Sequence, residues 1–179
     1  LTSATRGLIN AEFLNQLKKK QIVETDLPLF DYQKVGAEFL INSQNCLLGD
    51  EPGLGKTLMA VAACEQLKAE KILYITMKSL LFNVEKEIKK WRPEEKTVVL
   101  LEIRQSERVQ KYKKDVKYYI VNYEKVLRDM DILVNLEWDV IIADEATKIA
   151  NSQTKISKAI RLLKAKKKIA MTGTPIANT

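Results

Sequence analysis

The residues able to do chemistry fall in three short segments, and the absence of histidine restricts what they can do. Without imidazole the chain has no His-based triad and no His metal site, which leaves carboxylates, lysine, hydroxyls and backbone amides. The first segment is Asp50-Glu51-Pro52-Gly53-Leu54-Gly55-Lys56-Thr57. Gly53 and Gly55 let the backbone turn so that successive N–H groups converge on phosphate oxygens, and a helix starting near Lys56 adds its positive pole. Lys56 would place an ammonium on the β- and γ-phosphates of a nucleotide. The Thr57 hydroxyl would join the shell of a Mg2+ ion. Asp50 stands where the general pattern has glycine, and a plain structural turn could also use two glycines.

The second segment, Trp138-Asp139-Val140-Ile141-Ile142-Ala143-Asp144-Glu145, is an apolar strand delivering two acids at its tip. Asp144 would hold Mg2+, usually through water, and Glu145 would orient or deprotonate an attacking water. An ordinary strand-end turn is the competing reading. The third segment, Thr172-Gly173-Thr174-Pro175, follows another apolar strand, and its hydroxyls could change partner when phosphate leaves. Alone it is weak, because such turns are common.

These segments need elements to position them. Apolar runs suited to strands occur at Asn45–Leu48, Ile72–Thr76, Thr97–Leu101, Tyr118–Val121, Val140–Ala143 and Ile169–Thr172. Helical periodicity covers Tyr32–Asn42, Lys56–Ala69, Ser79–Trp91, Ser106–Lys114, Glu124–Leu136 and Gln153–Leu163, with an earlier helix through Leu8–Leu17. Nearly all-apolar strands separated by helices predict an α/β fold with a mainly parallel sheet covered on both faces. The polar and Gly-rich segments all follow strand C-termini, where open α/β sheets bind ligands. The expected division is an N-terminal helical extension over residues 1–26 and one α/β lobe over 27–179.

A formal charge of +7, from 30 Lys and Arg against 23 Asp and Glu, suits a polyanionic partner, although a lysine-rich solvated surface explains it as well. The lysines cluster at Lys18–Lys20, Lys86–Lys90, Lys111–Lys117 and Lys164–Lys168. Cys46 and Cys64 have no metal-ligand spacing and read as small buried hydrophobes in a reducing compartment. No apolar run approaches the ~18 residues of a membrane span, and the first residues lack a signal-peptide pattern, so no membrane partner and an intracellular location are expected.

Loop, Asp-Glu strand and Thr-Gly-Thr-Pro occur in the order found in superfamily-two helicases, and finer details resemble the Swi/Snf family of DNA-dependent ATPases. Leu29-Phe30-Asp31-Tyr32-Gln33 is similar to that family's Tyr-Gln element, whose glutamine reads the adenine edge. Asp50 is normal in its nucleotide loop. Lys78-Ser79-Leu80-Leu81 is similar to element Ia, Val121-Asn122-Tyr123-Glu124 to element Ib, and Thr172 to Asn178 to element III. The resemblance implies a RecA-like P-loop lobe that binds MgATP through Gln33, Asp50, Gly53, Leu54, Gly55, Lys56 and Thr57. It implies DNA-backbone contacts at Lys78, Ser79, Asn122 and Tyr123, without sequence specificity. Thr147, Thr172, Gly173 and Thr174 would couple phosphate state to movement. Thr147 stands where the family usually has histidine or a related residue, and Met77 where it usually has proline.

Motors of this kind close two RecA-like lobes around ATP, the second bringing an arginine to the γ-phosphoryl group. The sequence ends directly after element III, so a lobe that binds nucleotide weakly and hydrolyses it very slowly is expected, within a parent that translocates along duplex DNA. A non-catalytic nucleic-acid-binding or scaffold module is the alternative. A small-molecule kinase is disfavoured, because the Tyr-Gln and Thr-Gly-Thr-Pro elements have no role there.

Overall fold

The computed structural model describes residues 23–149, 151 and 153–173. The helix expected at Leu8–Leu17, nearly all of the 1–26 extension, and Thr174 to Asn178 lie outside these residues. After a loop containing Pro28 comes α1 (Asp31–Asn42), then β1 (Asn45–Gly49), α2 (Lys56–Gln66) and β2 (Ile72–Thr76). A short 3-10 turn over Lys78–Leu80 leads into α3 (Leu81–Trp91), β3 (Thr97–Leu100), α4 (Gln105–Tyr112) and β4 (Tyr118–Asn122). Two short helices, α5 (Tyr123–Arg128) and α6 (Met130–Leu133), precede β5 (Glu137–Ala143). A 3-10 turn over Ala146–Ile149, α7 (Lys155–Leu162) and β6 (Lys164–Thr172) follow.

Among the described residues six strands form one sheet in the order β1-β6-β5-β2-β4-β3, and all its pairs are parallel. All five residues of β2 are buried, as are all five of β4, because these inner strands are covered on both faces. Ile72 and Tyr74 point into a core with α1, α2 and α3. Leu73 and Ile75 point into the opposite core, with α4, α5, α6 and α7. The predicted sandwich of helices about a parallel sheet is therefore observed.

Three local departures from the sequence reading have physical causes. The single helix expected over Glu124–Leu136 is two helices broken at Asp129. That carboxylate accepts from Arg108 Nε at 2.7 Å and Nη2 at 2.6 Å, with both residues almost wholly buried. The helix expected to reach Ala69 ends at Gln66, because Lys68 adopts φ 51° and closes a Schellman motif. In it Ala69 N donates to Cys64 O at 2.9 Å and Lys68 N to Glu65 O at 2.8 Å.

Strand β6 begins at Lys164 rather than Ile169, so the Lys164–Lys168 cluster lies inside the sheet. Lys167 donates to the carbonyls of Ile41, at 2.8 Å, and Ser43, at the end of α1. Lys168, pointing to the other face, donates to Ile160 and Arg161 at the end of α7, at 3.1 and 2.8 Å. Burial lowers both ammonium pKa values. These lysines satisfy helix C-termini, where positive charge is favourable, instead of forming a free basic patch.

Candidate functional site

The loop between β1 and α2 is held by its glycines. Gly53 and Gly55 have φ of 85° and 79°, the left-handed region that costs other residues about 1–2 kcal/mol. At Gly55 a Cβ would also overlap Gln33 Nε2. Gln33 is buried, its Oε1 accepting from Phe30 N at 3.0 Å and its Nε2 donating to Leu54 O at 3.1 Å. The glutamine thus clamps the loop to the start of α1, which places the Tyr-Gln element directly against the candidate nucleotide loop. Lys56 Nζ donates to Asp50 O at 2.9 Å and Glu51 O at 3.0 Å. Backbone carbonyls occupy the ammonium in a geometry that anionic oxygens can take over.

The acidic strand meets this loop through a tyrosine. Tyr74 OH donates to Asp144 Oδ2 at 3.3 Å and lies 3.5 Å from Thr57 Oγ1. Thr76 Oγ1 donates to the same carboxylate oxygen at 3.4 Å. Asp144 Oδ1 accepts the Glu145 amide at 3.0 Å, and Asp144 N donates to Ile75 O at 2.8 Å. Thr57 and Asp144, taken from separate sequence segments, therefore share one polar cluster. Burial raises the Asp144 pKa, with the Glu145 charge adding to the rise; the Glu145 amide, the Tyr74 hydroxyl and the Lys56 ammonium oppose it. Burial likewise raises the Asp50 carboxyl, against the pull of Lys56. A site that disfavours its own carboxylate charge is one that a cation relieves.

Glu145 adopts φ 53°, a left-handed conformation that non-glycine residues take at a cost of about 1–3 kcal/mol. Such strain sits characteristically at functional positions, and here it turns the second acid away from the direction β5 would give it. Between β1 and β5 runs β6, where Thr172 pairs with Gly49 and Ala170 pairs with Ala143. Gly173 follows, so close to the loop that a Cβ would lie 2.9 Å from Pro52 Cγ. Loop, acids and the start of Thr172-Gly173 therefore share one end of the sheet. Thr147 is exposed near Glu145, its Oγ1 3.5 Å from the Glu145 carbonyl. Thr174 lies outside the described residues.

The donor set of Thr57 and Asp144 fits Mg2+, which prefers oxygen ligands and binds through one or two carboxylates together with substrate phosphates. Among the described residues no group of three or more acidic, Cys or His side chains forms a metal centre of its own.

Next to the acids lies a cleft of about 490 Å3 lined by Met77, Lys78, Ser79, Tyr123 and Glu124. Lys78 and Ser79 are exposed on its rim. Asn122 and Tyr123 are buried; Tyr123 lines the cleft from below instead of projecting into solvent, and Asn122 lies outside its lining. Asn122 donates through Nδ2 to Glu124, and Tyr123 donates through its hydroxyl to the Asp144 carbonyl. Of the other lysine clusters, Lys111 bonds Val99 O at 2.9 Å and pairs with Glu102, while Lys117 pairs with Glu95.

Sequence reasoning missed Tyr74 and Thr76, counted only as residues of an apolar strand. Their signal was hydroxyl groups in a strand too buried for water, where a tyrosine O–H needs a protein partner. Among the described residues no helix is long and apolar enough to cross a membrane.

A family model described as the SNF2-related domain matches residues 12–179. The human DNA repair and recombination protein RAD54B is 32% identical over 162 residues, covering 84% of this chain and 18% of that protein. The yeast (Saccharomyces cerevisiae) ISWI chromatin-remodeling complex ATPase ISW2 is 35% identical over 163 residues, covering 84% and 15%. Among solved structures, the Sulfolobus solfataricus SWI2/SNF2 ATPase core in complex with dsDNA superimposes with a TM-score of 0.78 at 34% identity, covering 89% of this chain and 36% of that one. The chain thus spans less than a fifth of the curated relatives and about a third of the solved core.

Proposed function

Because the chain belongs to the SNF2-related domain family, we propose that it is the first ATP-binding lobe of a motor that couples ATP hydrolysis to movement along DNA. The observation that carries this reading is the hydrogen-bonded line from Thr57 through Tyr74 to Asp144. It joins the phosphate loop to the acids at the end of the sheet that also carries the Lys78–Ser79 cleft.

The loop amides from Gly53 to Lys56 and the positive end of α2 bind the phosphates. Lys56 exchanges its bonds to the Asp50 and Glu51 carbonyls for phosphate oxygens. Thr57 and Asp144 would hold Mg2+, which would neutralise charge on the phosphates. Glu145, turned by its left-handed backbone, orients the attacking water and accepts its proton. Gln33 secures the loop, and to read the adenine edge it exchanges its bonds to Phe30 N or Leu54 O for the base. Thr147, Thr172, Gly173 and Thr174 report the loss of phosphate.

The remaining charge on the γ-phosphoryl group falls to an arginine of a second RecA-like lobe. Its contribution is on the order of 10³–10⁵ in rate, so this lobe alone turns ATP over very slowly. The share of the solved core that the chain covers supports a further lobe. Lys78 and Ser79 contact the sugar–phosphate backbone of a DNA strand, with Tyr123 forming the floor beneath and Asn122 buried next to it. Contacts of this kind hold a strand without reading bases, as movement along it requires. DNA as partner is supported by the dsDNA complex of the Sulfolobus core, and an intracellular place of work by relatives named for DNA repair and chromatin remodelling.

The test is ATP turnover by the full-length protein with and without duplex DNA. DNA-stimulated turnover that vanishes in Lys56→Ala is expected. Turnover indifferent to both DNA and Lys56 would contradict the motor, and intact DNA binding without turnover would favour a non-catalytic binding module.

A further inference from the structure

Asp144 is gripped at two points by two different tyrosines. Tyr74 reaches its carboxylate from β2, while Tyr123 reaches its backbone carbonyl from the first residue of α5. The carbonyl belongs to the Asp144–Glu145 peptide, whose far side carries the left-handed Glu145. The Glu145 amide, on the same peptide, is bonded back to Asp144 Oδ1 at 3.0 Å. With both ends of that peptide bonded, its plane is fixed, and with it the direction in which Glu145 leaves the strand. The Tyr123 hydroxyl is the one of these anchors that comes from outside the nucleotide site.

The same residue faces the neighbouring cleft. Tyr123 lines it with Met77, Lys78, Ser79 and Glu124, yet is only 6% exposed, so its ring forms the wall while its hydroxyl points inward. Beside it, Asn122 Oδ1 is buried without a hydrogen-bond partner while its Nδ2 bonds Glu124. The junction of β4 and α5 thus carries an open buried acceptor directly beside the cleft.

We infer that Tyr123 is a positioning residue that ties occupancy of the cleft beside Lys78 and Ser79 to the placement of Glu145. A strand seated in the cleft holds the start of α5 against β5 and keeps the hydroxyl on the Asp144 carbonyl. The peptide is then held with Glu145 directed at the attacking water. Without a strand to brace α5 that bond opens more often and hydrolysis is slower. This rests on the motor reading above and adds the route by which DNA would stimulate turnover.

The test uses the full-length protein and Tyr123→Phe, which keeps the ring and removes the donor. Duplex DNA affinity by fluorescence anisotropy and nucleotide affinity by a fluorescent ADP should each stay within about twofold, while kcat at saturating DNA falls roughly tenfold with KM for ATP little changed. Full stimulated turnover in Tyr123→Phe overturns the inference and leaves the motor reading intact. A fall in DNA affinity with unchanged kcat at saturation also overturns it, because Tyr123 would then be a DNA contact only. Failure of the wild-type protein to respond to DNA removes the motor reading itself. An arm that needs no variant is hydrogen exchange of the peptide covering residues 143–147. Slower exchange of the Glu145 amide when duplex DNA is added supports the inference, and an unchanged rate overturns it.

Discussion

Replacing each loop glycine by alanine separates backbone conformation from packing, because the two glycines share one and differ in the other. Both have positive φ, 85° at Gly53 and 79° at Gly55, so each alanine carries a backbone cost of about 1–2 kcal/mol. Around Gly53 nothing lies within 4 Å of the added Cβ, and the cost should end there. At Gly55 the Cβ must displace the Gln33 amide, which breaks the 3.1 Å bond to Leu54 O and the clamp that Gln33 holds on Phe30 N. Leaving such buried groups unpaired adds about 1–3 kcal/mol, so Gly55→Ala should cost roughly 2–5 kcal/mol. Urea unfolding of the chain, with m checked for constancy, measures both. In a Gln33→Ala background the excess at Gly55 should shrink towards the Gly53 value, since the obstructing amide is gone. Equal costs at the two glycines, or an excess that survives loss of Gln33, would refute the assignment of Gln33 as the loop's clamp.

Lys56→Ala should leave the unliganded chain close to wild-type stability but abolish its stabilisation by MgATP. In the wild type that stabilisation should reach about 2.7 kcal/mol at a hundredfold excess over Kd, read by thermal shift. Burial raises the folded pKa of Asp144, so its contribution is fully present below the unfolded carboxyl pKa and is lost as pH rises through the folded value. Urea midpoints without Mg2+ should therefore fall across that window in the wild type relative to Asp144→Asn, and a pH-independent difference would count against it. Arg108→Ala strands the buried Asp129 carboxylate and should cost about 3–5 kcal/mol in chemical denaturation. Lys166→Ala removes a partner that is 82% exposed in its pair with Asp139, and should be far milder.

Which parts of this were legible in the sequence follows from how locally each is encoded. Ile72–Thr76 and Tyr118–Val121 read as buried strands because every position is apolar or small enough for a two-sided core. Gly-Lys-Thr after an apolar strand carries its own turn and helix start within a few residues. The break at Asp129 was invisible, because it depends on Arg108, which reaches that carboxylate only after the chain has passed through β4. Lys167 and Lys168 looked like surface charge, and only the sheet's alternation sends them to helix ends on opposite faces. Tyr74 followed the same pattern, its hydroxyl gaining meaning once β2 and β5 lie side by side. Asn122 and Tyr123 were expected to contact a DNA backbone, while burial leaves Tyr123 as a wall of the cleft and Asn122 inside the protein beside it.

Isothermal titration of ATP with and without Mg2+, on the wild type, Thr57→Val, Asp144→Asn and the double variant, bears most directly on the joined site. If Thr57 and Asp144 serve one cation, Mg2+ should tighten ATP binding in the wild type, each single change should remove that gain, and the double variant should lose nothing further. A Mg2+ advantage that persists without Asp144, or losses that simply add, would contradict a shared metal between the loop and the acidic strand.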